Sequence, residues 1–99
     1  MAVVMSLRWD GVQPEQYDAV RTRVGWEDEV PDGAVLHVAW FEGGALHVTD
    51  VWESPAQFEE FFGNRILPAV EEAGLPGEPD VLLTPLHRRF VAPKVNGAA

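Results

Sequence analysis

The stretch LHVTDVWESPAQFEEFF, residues 46–62, decides the fold, because in it an alternating strand runs straight into a capped helix. Strand side chains alternate with a period of two. Leu46, Val48, Asp50 and Trp52 therefore share one face, and His47, Thr49, Val51 and Glu53 share the other. Ser54-Pro55-Ala56-Gln57 reads as an N-cap serine, a proline at the first helical position and a glutamine at N3. The serine hydroxyl is expected to accept from the N3 backbone N–H while the glutamine reaches back to the cap. Such a cap contributes about 1 kcal/mol. The junction fixes where the strand stops and which way Trp52 points.

Upstream, Gly43-Gly44 is a tight-turn signal that joins this strand, 46–53, to an earlier one at 34–41. Residues 2–9 alternate and form the first strand, broken by Asp10-Gly11. Pro14 opens a helix whose inner stripe is Tyr17, Val20 and Val24, and Gly25 ends it. Gln13 is a poor N-cap, so this helix is expected to fray at its start. An acidic loop holding Trp26, Pro31 and Gly33 leads to the second strand. In the helix after Ser54, Phe58, Phe61, Phe62, Ile66, Ala69 and Val70 fit one side, but Gly63 and Pro68 predict a kink or break over 63–67. Gly74, Pro76, Gly77 and Pro79 form a loop. The fourth strand is expected over 81–91, interrupted at Pro85, which suits an edge or an exchanged arm. The order is β-α-β-β-α-β. It implies an α+β domain over residues 1–91, a four-stranded antiparallel sheet of order 4-1-3-2 with both helices on one face, and a flexible tail at 92–99.

Size and charge narrow the function. Ninety-nine residues make one core. Seven basic against sixteen acidic residues give a net charge of −9, which disfavours nucleic acid. Arg88-Arg89 reads as a solvated strand edge, and Glu27-Asp28-Glu29 with Asp32 as a solubilising loop rather than a metal site. There is no cysteine, so thiol chemistry and disulfides are excluded. The apolar start, cut short by Arg8 and Asp10, reads as a strand and not a leader, and no run is long enough to span a membrane. A cytoplasmic protein with no metal or cofactor is the expectation.

A two-residue turn at Gly43-Gly44 pairs Phe41 with Leu46, Trp40 with His47, Ala39 with Val48, His37 with Asp50 and Val35 with Trp52. One hairpin face then carries Val35, His37, Ala39, Phe41, Leu46, Val48, Asp50 and Trp52. The other carries Leu36, Val38, Trp40, His47, Thr49, Val51 and Glu53. Helices can cover only one of these. The apolar residues of the other face need a partner, and a two-fold homodimer with its sheets face to face would supply it.

The element order, the length and the run DVWESPAQFEEFF resemble the dimeric α+β barrel superfamily, and within it the antibiotic-biosynthesis-monooxygenase (ABM) type of domain. The resemblance covers residues 2 to about 91. It implies a ferredoxin-like protomer, a barrel made by two sheets, and a pocket between sheet and helices for a small aromatic or polyketide-like molecule. Members include cofactor-independent oxygenases of polyketide quinols and haem-degrading enzymes. The haem-degrading pattern is not matched, since the first strand has no Asn and the position ten after Trp52 is Phe62.

His37 opposite Asp50, beside Trp52, is the sharpest local constellation. In a pocket lined by Trp52, Val35, Phe58 and Phe62, this dyad could abstract a phenolic or enolic proton, and the resulting anion could react with oxygen. The alternative is a structural cross-strand pair that satisfies two polar groups. Trp26 is a candidate lid. His87 enters the pocket only if the irregularity at Pro85 turns it inward. His47 against Trp40 reads as packing, and Tyr17 as core rather than an acid catalyst. Two functions stay open: a cofactor-independent monooxygenase, or a non-catalytic ligand-binding or dimerisation module.

Overall fold

Two local devices set the frame, and both are present in the computed structural model, which describes residues 1–99. Gly43 and Gly44 take φ of 61° and 75°, the left-handed region that a two-residue hairpin turn needs at both positions. Ser54 Oγ accepts from Gln57 N–H at 3.2 Å. The return half of the cap differs from expectation. Gln57 Oε1 accepts from the Ser54 hydroxyl at 2.9 Å and not from the cap backbone. Gln57 is drawn there by Gly33, at φ 87°, where a Cβ would lie 2.3 Å from its Oε1. Only glycine lets this loop close on the helix.

The elements run β1 (Val3–Asp10), α1 (Pro14–Val24), β2 (Ala34–Glu42), β3 (Ala45–Trp52), α2 (Pro55–Phe61), a π-helical turn (Phe62–Ile66), α3 (Leu67–Ala73) and β4 (Asp80–Pro85). All strand pairs are antiparallel, in the spatial order β2-β3-β1-β4. This is the ferredoxin-like βαββαβ arrangement, with α2, the π turn and α3 as one interrupted second helix. Pro68 has no N–H for the α pattern and its ring crowds the preceding turn. The chain answers by widening one turn, in which Leu67 N–H bonds back to the Phe62 carbonyl, and continues. The helix is not broken. At the start of α1 the Gln13 N–H is capped, donating to Gln16 Oε1 at 2.8 Å.

Helices cover one face of the sheet. Val3, Met5, Leu7 and Trp9 of β1 and Leu46, Val48 and Trp52 of β3 are buried there with Phe58, and Tyr17, Phe61, Phe62 and Val70 pack against them. The indole N–H of Trp9 donates to the Pro76 carbonyl, which pins the loop before β4. The other face is bare at Leu36, Val38 and Trp40, each 44–45% exposed, and at Leu82, 63% exposed. Trp40 stacks on His47 there at 5.3 Å. Val51, expected to be bare, is buried. It lies near the end of the sheet that the chain after β4 crosses, with Leu86 N–H on the Ala2 carbonyl and Arg89 on Glu53.

Two further expectations are corrected. The hairpin register holds from His37↔Asp50 to Phe41↔Leu46, but Ala34 and not Val35 faces Trp52. Val35 is the extra residue of a bulge, formed where the Gly33 carbonyl accepts from Glu53 N–H at 2.8 Å and draws the start of β2 inward. The fourth strand stops at Pro85, because proline cannot donate to the ladder, and residues 86–99 contain no strand or helix. No helix is long and apolar enough to cross a membrane.

Candidate functional site

Between the helices and the covered face of the sheet lies an open cavity of about 990 Å³. Its volume falls at the upper end of the range for small-molecule sites, roughly 300–1,000 Å³. Apolar side chains dominate the walls. Val35, Trp52, Phe58 and Phe62 all line it, as expected, and so does Trp26 from the loop after α1. His87 does not. It follows the end of β4 and is exposed, so the irregularity at Pro85 turns it away from the cavity.

Four polar groups in this cavity form one chain. Asp50, 7% exposed, is the only buried charged residue of the molecule. Its Oδ2 accepts from Trp52 Nε1–H at 3.0 Å, and its Oδ1 lies 2.7 Å from His37 Nδ1. His37 Nε2 is in turn 2.7 Å from the Tyr17 hydroxyl. For a neutral imidazole these contacts set the directions. An ionised carboxylate only accepts, so His37 carries its proton on Nδ1 and donates it to Asp50. That leaves Nε2 as an acceptor for the Tyr17 O–H. The Tyr17 and His37 ring planes differ by only 2°, which suits an in-plane bond to the ring nitrogen.

Three elements place the members. The turn register puts His37 across from Asp50, and the alternation of β3 puts Asp50 and Trp52 on one face. Tyr17 arrives from α1, whose inner stripe contains Tyr17 and Val20. Trp26 closes the group edge-on, 5.9 Å from Tyr17 and 5.2 Å from His37 between ring centroids. Tyr17 was read as core, and its role in the chain was missed. The available signal was that it is the one polar side chain on the inner stripe of α1, facing a strand with a His–Asp pair.

Burial pushes the Tyr17 hydroxyl up to about 12; Arg21 opposes this, and the charges of Glu27, Asp50 and Asp18 add to it. The phenol therefore stays protonated across the neutral range and donates to His37. The chain has a single tyrosine, so tyrosinate absorbance reads this group alone. An alkaline titration of the folded protein is expected to show a midpoint near 12 against 10.0 for the unfolded chain. Because the folded value is the higher one, the linked stability is intact below the unfolded value and is lost as pH rises through the folded one. A midpoint at the ordinary tyrosine value would mean that the phenol is solvated and unpaired.

No protein-family model and no curated protein matches this sequence. Solved structures do resemble the fold. SnoaB, a cofactor-independent oxygenase from Streptomyces nogalater, aligns with a TM-score of 0.63 at 17% identity, over 94% of this chain and 98% of its own. The monooxygenase from the ActVA-Orf6 gene of Streptomyces coelicolor, solved with nanaomycin D, aligns at 0.56 with 22% identity, over 92% and 93%. NE2512 from Nitrosomonas europaea, a protein of unknown function, aligns at 0.67 with 16% identity, over 92% and 95%. At these identities the likeness is one of fold: an ABM-like fold along nearly the whole chain.

Proposed function

We propose that the protein is a cofactor-independent oxygenase of small, uncharged hydroxylated aromatics, acting in the cytoplasm as a two-fold dimer. The reading rests on the hydrogen-bonded chain from Tyr17 through His37 to the buried Asp50, opening into an apolar cavity. The fold shared with SnoaB and the ActVA-Orf6 monooxygenase supports the reaction class. The bare side of the sheet, with Leu36, Val38, Trp40 and Leu82 exposed, supports the dimer. The cavity lining favours a neutral ligand. Its one cation, Arg21, already faces Asp18 at 3.8 Å and Glu27 at 3.4 Å, so no free positive charge awaits an anion.

The chemistry follows from the direction of the chain. A ligand hydroxyl or acidic C–H gives its proton to Tyr17 Oη as the tyrosine proton passes to His37 Nε2; Asp50 stabilises the imidazolium. With an anthrone, the resulting enolate transfers an electron to dioxygen and the radical pair combines to a carbon-bound peroxide. His37 returns the proton, and loss of water leaves a carbonyl. The balance is CH2 + O2 → C=O + H2O. Trp26 and Phe62, which line the cavity and are only half-buried, offer aromatic faces for the ligand.

Oxygen uptake with anthrone tests this. The wild type is expected to consume one O2 per anthrone, and His37→Ala to lose at least about a hundredfold in rate while remaining folded. Equal rates in the two proteins would retire the dyad. Binding of anthrone without oxygen uptake would leave a ligand-binding module on the same fold.

A further inference from the structure

Trp26 contributes one wall of the cavity, yet it sits in the loop after α1 and not on a strand or helix. That loop closes on itself. Asp28 N–H and Glu29 N–H both bond the Gly25 carbonyl, at 3.1 and 2.8 Å. From the other side, Nη2 of Arg65 donates to the Val24 carbonyl at 3.1 Å and to the Glu29 carbonyl at 2.9 Å. One amino group thus joins both ends of the turn that carries Trp26. The Val24 carbonyl belongs to the last turn of α1, where carbonyls lack partners within the helix. The same guanidinium lies 5.1 Å from the centre of the Phe61 ring, and Phe61 packs on Trp52 at 5.4 Å. Arg65 itself belongs to the π-helical turn.

We infer that Arg65 is a positioning residue that latches the Trp26 loop, holding the indole against Tyr17 and His37 and so setting how tightly the cavity grips a planar ligand. It touches no reacting atom and acts through Trp26. The π turn then has a purpose at the site. It carries Arg65 on a locally widened part of the helix, within reach of two carbonyls on another segment, as π turns at functional sites do. A lysine there supplies the charge but not a planar group that lies over the Phe61 ring while one of its amino groups serves two carbonyls. The effect on ligand affinity rests on the cavity being a binding site; the latch itself does not.

The test uses full-length protein labelled with 5-fluorotryptophan. Its four tryptophans give four fluorine resonances, and the one missing in Trp26→Phe is Trp26. In Arg65→Met the Trp26 resonance is expected to move towards that of the unfolded chain, while those of the buried Trp9 and Trp52 stay within their folded range. Arg65→Lys should fall between. Calorimetric affinity for 1-naphthol should weaken about tenfold in Arg65→Met, a fraction of the two charge-assisted hydrogen bonds that the loop loses. In a Trp26→Ala background the same change should have no further effect, because an interaction mediated by Trp26 vanishes with it. An unmoved Trp26 resonance, or a tenfold loss that persists without Trp26, overturns the inference. If the wild type binds no 1-naphthol, the ligand reading of the cavity fails, and the resonance alone decides whether the latch exists.

Discussion

Asp50→Ala is expected to destabilise the protein by about 2–4 kcal/mol and to lower turnover at least about a hundredfold. Asp50 is the shared acceptor for Trp52 Nε1–H and His37 Nδ1–H. Its removal strands the indole N–H of a side chain that is 2% exposed, and each unsatisfied buried donor costs about 1–3 kcal/mol. His37 can recover part of its loss by turning to solvent, since its side chain is 32% exposed. The companion change separates stability from chemistry. In Asp50→Asn the amide oxygen still accepts from Trp52, while the amide NH2 faces His37 Nδ1. The imidazole must then protonate at Nε2, which can no longer accept from Tyr17. Urea unfolding should show a loss below about 1.5 kcal/mol for Asp50→Asn, while turnover should fall as far as in Asp50→Ala. Full turnover in Asp50→Asn would mean that the tautomer is irrelevant and the pair is structural.

Trp40→Glu is expected to turn a dimer into a monomer. Trp40 stands between Leu36 and Val38 on one side and His47 on the other, on the face that no helix covers. In a two-fold contact each residue appears twice, so a buried carboxylate enters the interface as a pair. An uncompensated buried polar group costs roughly 1–3 kcal/mol or more, so association should weaken by at least about a hundredfold. Sedimentation of the wild type at micromolar concentration should give about twice the 11.0 kDa of one chain, and Trp40→Glu should give one. The Trp9 core on the far side of the sheet should leave its unfolding transition intact. A wild type that sediments as a single chain would remove the partner.

The sheet could be read from residues that act locally. Gly43-Gly44 admits few turn geometries, so the pairing of His37 with Asp50 followed from counting outward. Ser54 marked the end of β3 in the same way. The failures lie where distant segments meet. The bulge at Val35 depends on Gly33 docking against Gln57, a contact between segments 24 residues apart in sequence and invisible to alternation. The π turn is how the chain absorbs Pro68 while the helix stays packed on the sheet; sequence pattern alone suggests a kink or break there without telling which. Pro85 ends β4, a harder stop than the expected interruption. Within the site, the pairing of His37 with Asp50 is legible because two adjacent strands carry it. Tyr17 is not, because its reach to His37 is set by the docking of α1 across the sheet. Arg65 was invisible for the same reason: its partners are backbone carbonyls of another segment.

The most direct measurement is a crystal of the protein soaked anaerobically with anthrone. The ring system should lie in the cavity against Trp26 and Phe62, with its oxygen within hydrogen-bond distance of Tyr17 Oη or His37 Nε2. Density for anthrone on the bare face beside Trp40, or a cavity left empty with the Tyr17–His37 bond undisturbed, would contradict the account.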